Sequence, residues 1–331
     1  MTPKAIFAGL TLLAAVAAPF LVGPYAQYIL AMAAIYGFVG LGMYVLLGLG
    51  GQISLGHAAF WALGAYGSAV LTVRFGVPFP LAVIGGAVIA GVFGAIAAMP
   101  ALRVQGHYLA IATLGLAIVV QQVLFQWDSV TGGRQGMLVP RPSLFGYEID
   151  DDGHYYLIIL ACLLVAIWLV RNFQKSFLGI SLKALRSSPI AAQAAGVGRA
   201  YHLIVAFVVS AALTGVSGAF YGALLGQLST DSFTLLVSLD FLTMAVIGGL
   251  GSIGGALVGG IFYAVAPEIL RDFQQAQQVI YGLLLIACMR LLPGGLASLP
   301  HAVATLFSSR RKSPPENNSS VELEKLSEVG K

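Results

Sequence analysis

The chain has 331 residues, of which 58% are hydrophobic and 9% charged, with a formal net charge of +4 and a mean hydropathy of +0.90. An ordinary soluble domain is about 25% charged, and nine of the charges here crowd into the last 22 residues, from Arg310 to Lys331. Too little remains to clothe a soluble fold, so a soluble enzyme, a nucleic-acid binder and a secreted disulfide scaffold are excluded in favour of a polytopic membrane protein.

A membrane-spanning helix needs about 20 mostly apolar residues. Runs of that length recur along the chain, and the alternating segments of about ten residues expected of a β-barrel do not. The chain is therefore read as all-α, a polytopic transmembrane bundle. Lys4 followed by an apolar run and Ala15-Val16-Ala17 resembles a secretory signal but is read as an uncleaved first span. Spans are predicted at 5–22, 28–48, 54–73, 80–100, 107–125, 155–171 and 203–227. A Gly-rich pair of short segments follows at 240–266, and a last span at 278–292. That makes about eight spans plus a re-entrant or broken helix pair. Pro78, Pro80 and Pro100 punctuate the turns. Residues 1–300 form the membrane domain, and the polar stretch 301–331 is expected to be a disordered cytoplasmic tail. Cys162 and Cys288 lie in apolar runs and read as small buried hydrophobes.

Orientation follows from Lys and Arg in short loops. The loop 126–154 holds Asp128, Glu148, Asp150, Asp151 and Asp152 against Arg134 and Arg141, and is placed outside. The loop 171–202 holds Arg171, Lys175, Lys183, Arg186 and Arg199 and no acid, and is placed in the cytoplasm. Counting spans from these loops puts the N-terminus inside. The basic cluster Arg310-Arg311-Lys312 stays inside only if 240–266 enters and leaves from the outer face, broken within Gly248–Gly255. Irregular backbone at membrane depth needs protein or a water-filled cavity to satisfy it. The alternative is a continuous Gly-rich helix. Gly218, Gly222 and Gly226, like Gly251, Gly255 and Gly259, are spaced four apart, which allows close helix approach.

No P-loop, metal motif or clustered acid–base set is present. Ionisable groups at membrane depth are nearly absent, with His57, His107 and Asp240 the candidates. Proton- and sodium-coupled carriers usually need such groups, so a stand-alone secondary carrier is disfavoured. In the cytoplasmic loop, Ser188 can cap a short helix that has Pro189 first, runs through Ala191 and Gln193, and stops at Gly196. Such a helix, flanked by Lys183 and Arg186, either lies on lipid headgroups or docks in a partner's groove.

This loop resembles the coupling loop of ABC importer permeases, with Gln193-Ala194-Ala195-Gly196 where many carry Glu-Ala-Ala and a later Gly. The run Gly51 to Phe60 (GQISLGHAAF) narrows the resemblance to the branched-chain amino acid ABC transporter permease family, of the LivM type. Gly64-Ala65-Tyr66, Arg103 to Gly115 (RVQGHYLAIATLG), Thr131-Gly132-Gly133, Asp231-Ser232-Phe233, Gly248 to Ser252 and Leu292 to Leu296 (LPGGL) point the same way. The match covers roughly residues 28 to 299. Gln193 departs from the usual acid, and His107 stands where the family often has Asp.

The resemblance implies a transport subunit, not an enzyme and without a cofactor, in a bacterial inner membrane with both termini cytoplasmic. Its partners would be two cytoplasmic ATPases, a homologous second permease and a periplasmic binding protein that delivers branched-chain amino acids, or urea, amides or another small polar solute. Lys183, Arg186, Ser188, Pro189, Ala191, Gln193 and Gly196 would couple to the ATPase. Gln52, Ser54, His57, Thr113, Gly251, Gly254 and Gly255 would border the translocation pathway, with the half-helix after Gly254-Gly255 offering N–H groups to a carboxylate. Ser54 and Thr113 can equally bond neighbouring carbonyls. Thr131, Gly132 and Gly133 would contact the binding protein or simply form a turn.

Overall fold

The computed structural model describes residues 3–104, 106–144, 147–149 and 151–270, with 279, 280, 282, 283, 286, 295 and 296. The predicted span 278–292 and tail 301–331 thus lie largely or wholly outside the described residues. Twelve α-helices occur among those described. They are α1 (Pro3–Leu21), α2 (Pro24–Met43), α3 (His57–Phe75), α4 (Phe79–Arg103), α5 (His107–Gln126), α6 (Asp128–Thr131), α7 (Asp152–Lys175), α8 (Phe177–Ser187), α9 (Pro189–Ala194), α10 (Arg199–Leu225), α11 (Leu235–Gly248) and α12 (Ile253–Ile269). Six helical stretches are long and apolar enough to cross a membrane: 24–49, 57–75, 79–103, 107–126, 152–175 and 199–225. The protein is a multi-pass membrane protein.

The bundle is organised around α10, which packs along α4, α3 and α2. Apolar helices gain little from excluding water inside a bilayer, so close backbone approach must hold them together. Small residues provide it. A Cβ on Gly64 of α3 would strike the Gly215 backbone of α10, and one on Gly218 would strike the Trp61 carbonyl. Gly94 of α4 would meet the Phe207 carbonyl at 2.8 Å. In the two predicted ladders, Gly218, Gly255 and Gly259 sit against backbone, whereas Gly222 meets the Leu228 side chain, Gly226 ends α10 with φ +71° and Gly251 faces open space.

The acidic loop is more structured than expected. Its backbone forms two short antiparallel pairs, β1 (Met137–Leu138) with β4 (Gln227–Leu228), and β2 (Ser143–Leu144) with β3 (Tyr147–Glu148). The first pair ties this loop to the end of α10. Arg74, at the end of α3, donates to the carbonyls of Ser129 and Val130 beside it.

Three expectations are corrected. The cytoplasmic loop 171–202 is mostly helix. α7 continues to Lys175, and Ser176 then caps α8 by accepting from Gly179 N at 3.4 Å. The second span starts earlier than expected, at Pro24, and reaches its expected end through a π-helical segment, Tyr44–Leu49, after which residues 50–56 are non-helical. The half-helix α12 starts at Ile253, where Ser252 caps Gly255 N at 3.0 Å, so Gly254 and Gly255 lie inside its first turn.

α11 and α12 form an antiparallel hairpin broken at residues 249–252. α12 runs antiparallel to α2: Ala256 lies against Gly40, Gly260 against Gly37, and Tyr25 donates to Glu268. The ends of the hairpin therefore return to the face that carries the acidic loop, and its tip points toward α8. Gly64→Ala is expected to force α3 away from α10 and lower stability by about 1–3 kcal/mol. Gly115→Ala, with nothing within 4 Å of its Cβ, is expected to leave stability unchanged or raise it slightly. Thermal unfolding of the two purified variants checks the contrast.

Candidate functional site

The predicted pathway residues separate into two groups. Gln52, Ser54, His57 and Thr113 come together where residues 50–56 climb from the π-helical segment to α3. Gly251, Gly254 and Gly255 sit at the tip of the α11–α12 hairpin. The groups meet through Gly48, where a Cβ would lie 2.7 Å from the Leu250 carbonyl.

The first group lies deep in the bundle. α10 starts at Arg199, whose guanidinium reaches the carbonyls of Ala101 (3.2 Å) and Leu102 (3.4 Å) at the end of α4. His57, the first residue of α3, is level with Ser210, which at the helical rise is about 16 Å along α10 from that end. Backbone amides that deep need partners, and side chains supply them. Thr113 Oγ1 on α5 accepts from Leu55 N at 3.0 Å, Ser54 Oγ accepts from Gly56 N at 3.2 Å, and Ser238 Oγ on α11 accepts from Ala58 N at 3.1 Å. Ser54, His57, Thr113 and Ser238 are all buried. Gln52 is half-buried and its Nε2 donates back to Gly50 O at 3.0 Å.

A second polar line runs along α10. Ser210 Oγ donates to Gly42 O at 2.7 Å, and His57 Nε2 lies 3.0 Å from the same Oγ. The serine proton is directed at Gly42, so the imidazole proton sits on Nε2 and points at the serine. The ring is buried and also meets the backbone of Ser54. Ser217 Oγ donates to Ile35 O at 2.8 Å and accepts from Trp61 Nε1 at 3.1 Å. Sequence reasoning missed Ser238 and this stripe, although Ser210, Thr214 and Ser217 keep one helical face and their spacing was readable. Asp240 on α11 accepts from the Tyr263 hydroxyl on α12 at 3.0 Å.

At the hairpin tip, Gly251 and Gly254 are exposed, and Gly255 is buried against the Gly249 carbonyl. The α8–α9 pair lies beside the tip. Ser188 caps α9 by accepting from Ala191 N at 3.4 Å, Pro189 is its first residue, and Gly196 follows with φ +86°. Lys183, Arg186 and Gln193 are all exposed, but the Arg186 guanidinium folds back to donate to Gly48 O. α9 buries only Ala192 and leaves Ile190 84% exposed.

At the acidic end, Thr131 is buried. Its hydroxyl donates to Leu124 O (2.6 Å) and Trp127 O (3.0 Å) and accepts from Gly133 N (3.1 Å). Gly132 and Gly133 have φ of +75° and +54°. The threonine locks the turn, in which Gly132 is half-buried and Gly133 buried. Among the described residues no group of His, Cys, Asp or Glu is placed to hold a metal ion.

The family described as "Branched-chain amino acid transport system / permease component" matches residues 25–289. Among relatives, the high-affinity branched-chain amino acid transport system permease protein LivM of Salmonella typhimurium is 31% identical over 91% of this chain and 76% of its own length. LivM of Escherichia coli is 31% identical over 86% and 73%. The permease protein LivH of the Salmonella system is 23% identical over 80% and 92%. No solved structure matches the chain. Thr113→Val, which removes the acceptor for Leu55 N, is expected to cost about 1–3 kcal/mol. Thr113→Ser should retain most of the stability, as read from the melting temperature of the purified protein.

Proposed function

This chain belongs to the permease-component family of branched-chain amino acid transport systems, and we propose that it is a membrane subunit of an ATP-driven importer of those amino acids. It works beside a homologous second permease, two cytoplasmic ATPases and a periplasmic binding protein, in a bacterial inner membrane with both termini cytoplasmic. The relatives LivM and LivH, each named as a permease protein of such a system, support the pairing. The acid-free α8–α9 region and the acidic loop at the opposite end of the bundle support the orientation.

The observation that carries this reading is α9. A helix of six residues cannot hold itself together in water, and this one packs on little besides α8. Its exposed Ile190 and alanines need a groove in another subunit, and an ATPase supplies one. Lys183 and Gln193, both exposed, meet that subunit. The binding protein meets the Gly132-Gly133 turn at the other end.

Between these ends, the pathway runs past residues 50–56 and the hairpin tip. A branched-chain amino acid brings a carboxylate, an ammonium and an apolar side chain. Cations are scarce at this depth, so backbone N–H groups at the exposed start of α12 serve the carboxylate. Binding must be weak, because a tightly held solute is not released.

Purification from native membranes in mild detergent should recover two P-loop ATPases and a second polytopic subunit. Reconstituted vesicles should then take up leucine, isoleucine or valine only with ATP and the binding protein. Recovery of the chain alone would overturn the importer reading. Uptake of urea or amides in preference would reassign the substrate. Gly254→Leu has room at the tip, since only Ser252 Oγ approaches its Cβ, at 3.9 Å. The complex should assemble normally while uptake falls at least about tenfold. Wild-type uptake would remove the tip from the pathway. Lys183→Glu should weaken recovery of the ATPases without unfolding the permease.

A further inference from the structure

We infer that Arg186 is a positioning residue that carries the movement of the α8–α9 pair into the bundle through the π-helical segment Tyr44–Leu49. This inference rests on the importer reading and assigns Arg186 a role different from that of Lys183. Both are cations of α8 and both read from sequence as contacts for an ATPase. Only Arg186 reaches into its own chain, where its guanidinium donates to Gly48 O.

The target of that bond is a weak point. A π-helical turn is a strained, wide form that persists where its surroundings hold it. Its exit is closed by unusual backbone bonds: Gly50 N to Val45 O at 3.2 Å, Gly51 N to Leu47 O at 3.1 Å and Gln52 N to Leu46 O at 3.1 Å. Gly51 has φ +65° and lies on the arginine stem, since a Cβ there would stand 2.7 Å from Arg186 Cγ. From the other side, Leu250 of the hairpin tip abuts Gly48. A polar cavity of about 480 Å³ is lined by Tyr44, Gly48, Leu49, Gln174, Lys183, Arg186, Ser187 and Gly251. One side chain thus grips the exit of the π-helical segment from the coupling pair, next to the tip that closes the other side. When α9 is pulled, Arg186 moves the start of residues 50–56.

Two measurements test this. The first is amide hydrogen exchange on the purified wild-type chain and on Arg186→Ala, Arg186→Lys and Lys183→Ala. Loss of a charge-assisted bond should speed exchange at Gly50, Gly51 and Gln52 by about tenfold in Arg186→Ala, less in Arg186→Lys, and not in Lys183→Ala. Unchanged exchange in Arg186→Ala overturns the strut whatever transport does. The second uses the reconstituted complex. Arg186→Ala should keep its ATPases and hydrolyse ATP while amino acid carried per ATP falls about tenfold, with partial rescue by Arg186→Lys. Loss of the ATPases from Arg186→Ala would place the residue at the subunit interface and overturn the proposal. Faster exchange with wild-type transport per ATP would leave a local clasp with no part in coupling, which also overturns it. A wild-type complex without ATP-driven uptake removes the importer reading, and the coupling role with it, whatever the exchange result.

Discussion

A backbone amide inside an apolar bundle has no water to bond, and residues 50–56 place several of them there at once. Much of the interior follows from satisfying them. Thr113 on α5, Ser54 within the segment and Ser238 on α11 each accept from one of these amides or from the first turn of α3. Those bonds fix α5 and α11 against the start of α3 more specifically than apolar contact does. Dispersion between aliphatic side chains tolerates sliding, whereas a hydrogen bond at 3 Å does not.

Close glycine packing is the complement of those bonds. α10 can run against α2, α3 and α4 together because Gly42, Gly64, Gly94, Gly215 and Gly218 remove side chains at the contacts. The approach brings Ser210 and Ser217 within reach of carbonyls on α2. Small residues and hydroxyls therefore act together: the first permit the distance and the second fix the register.

The two ends of the molecule differ in kind. At one, short strand pairs, Arg74 and the Thr131 turn make a cap built from the chain's own contacts. At the other, α9 stands out from the bundle with an exposed isoleucine, and α8 lies against the π-helical exit and the hairpin tip. The first end is tied down by its own hydrogen bonds. The second leaves α9 packed on little besides α8.

Legibility in the sequence followed the range of the interactions. The spans, the Ser188-Pro189 helix start and the break within 248–255 depend on residues a few positions apart, and composition or capping chemistry is enough to place them. The start of α12 was misplaced by three residues because Ser252, not the glycines, supplies the cap. α8 was missed although Ser176 announces it, because its apolar face is interpretable only once there is a bundle to cover it. Two of the acceptors that satisfy the segment and the start of α3, Thr113 and Ser238, lie 58 and 180 positions from the amides they meet. The same holds for the Arg186 bond to Gly48, across 138 positions. By itself, the sequence determined that this chain lives in a membrane and which end is basic, since hydropathy and charge are local sums. Only the tertiary structure decided which hydroxyl meets which amide and where an arginine points, because those depend on which helices lie side by side.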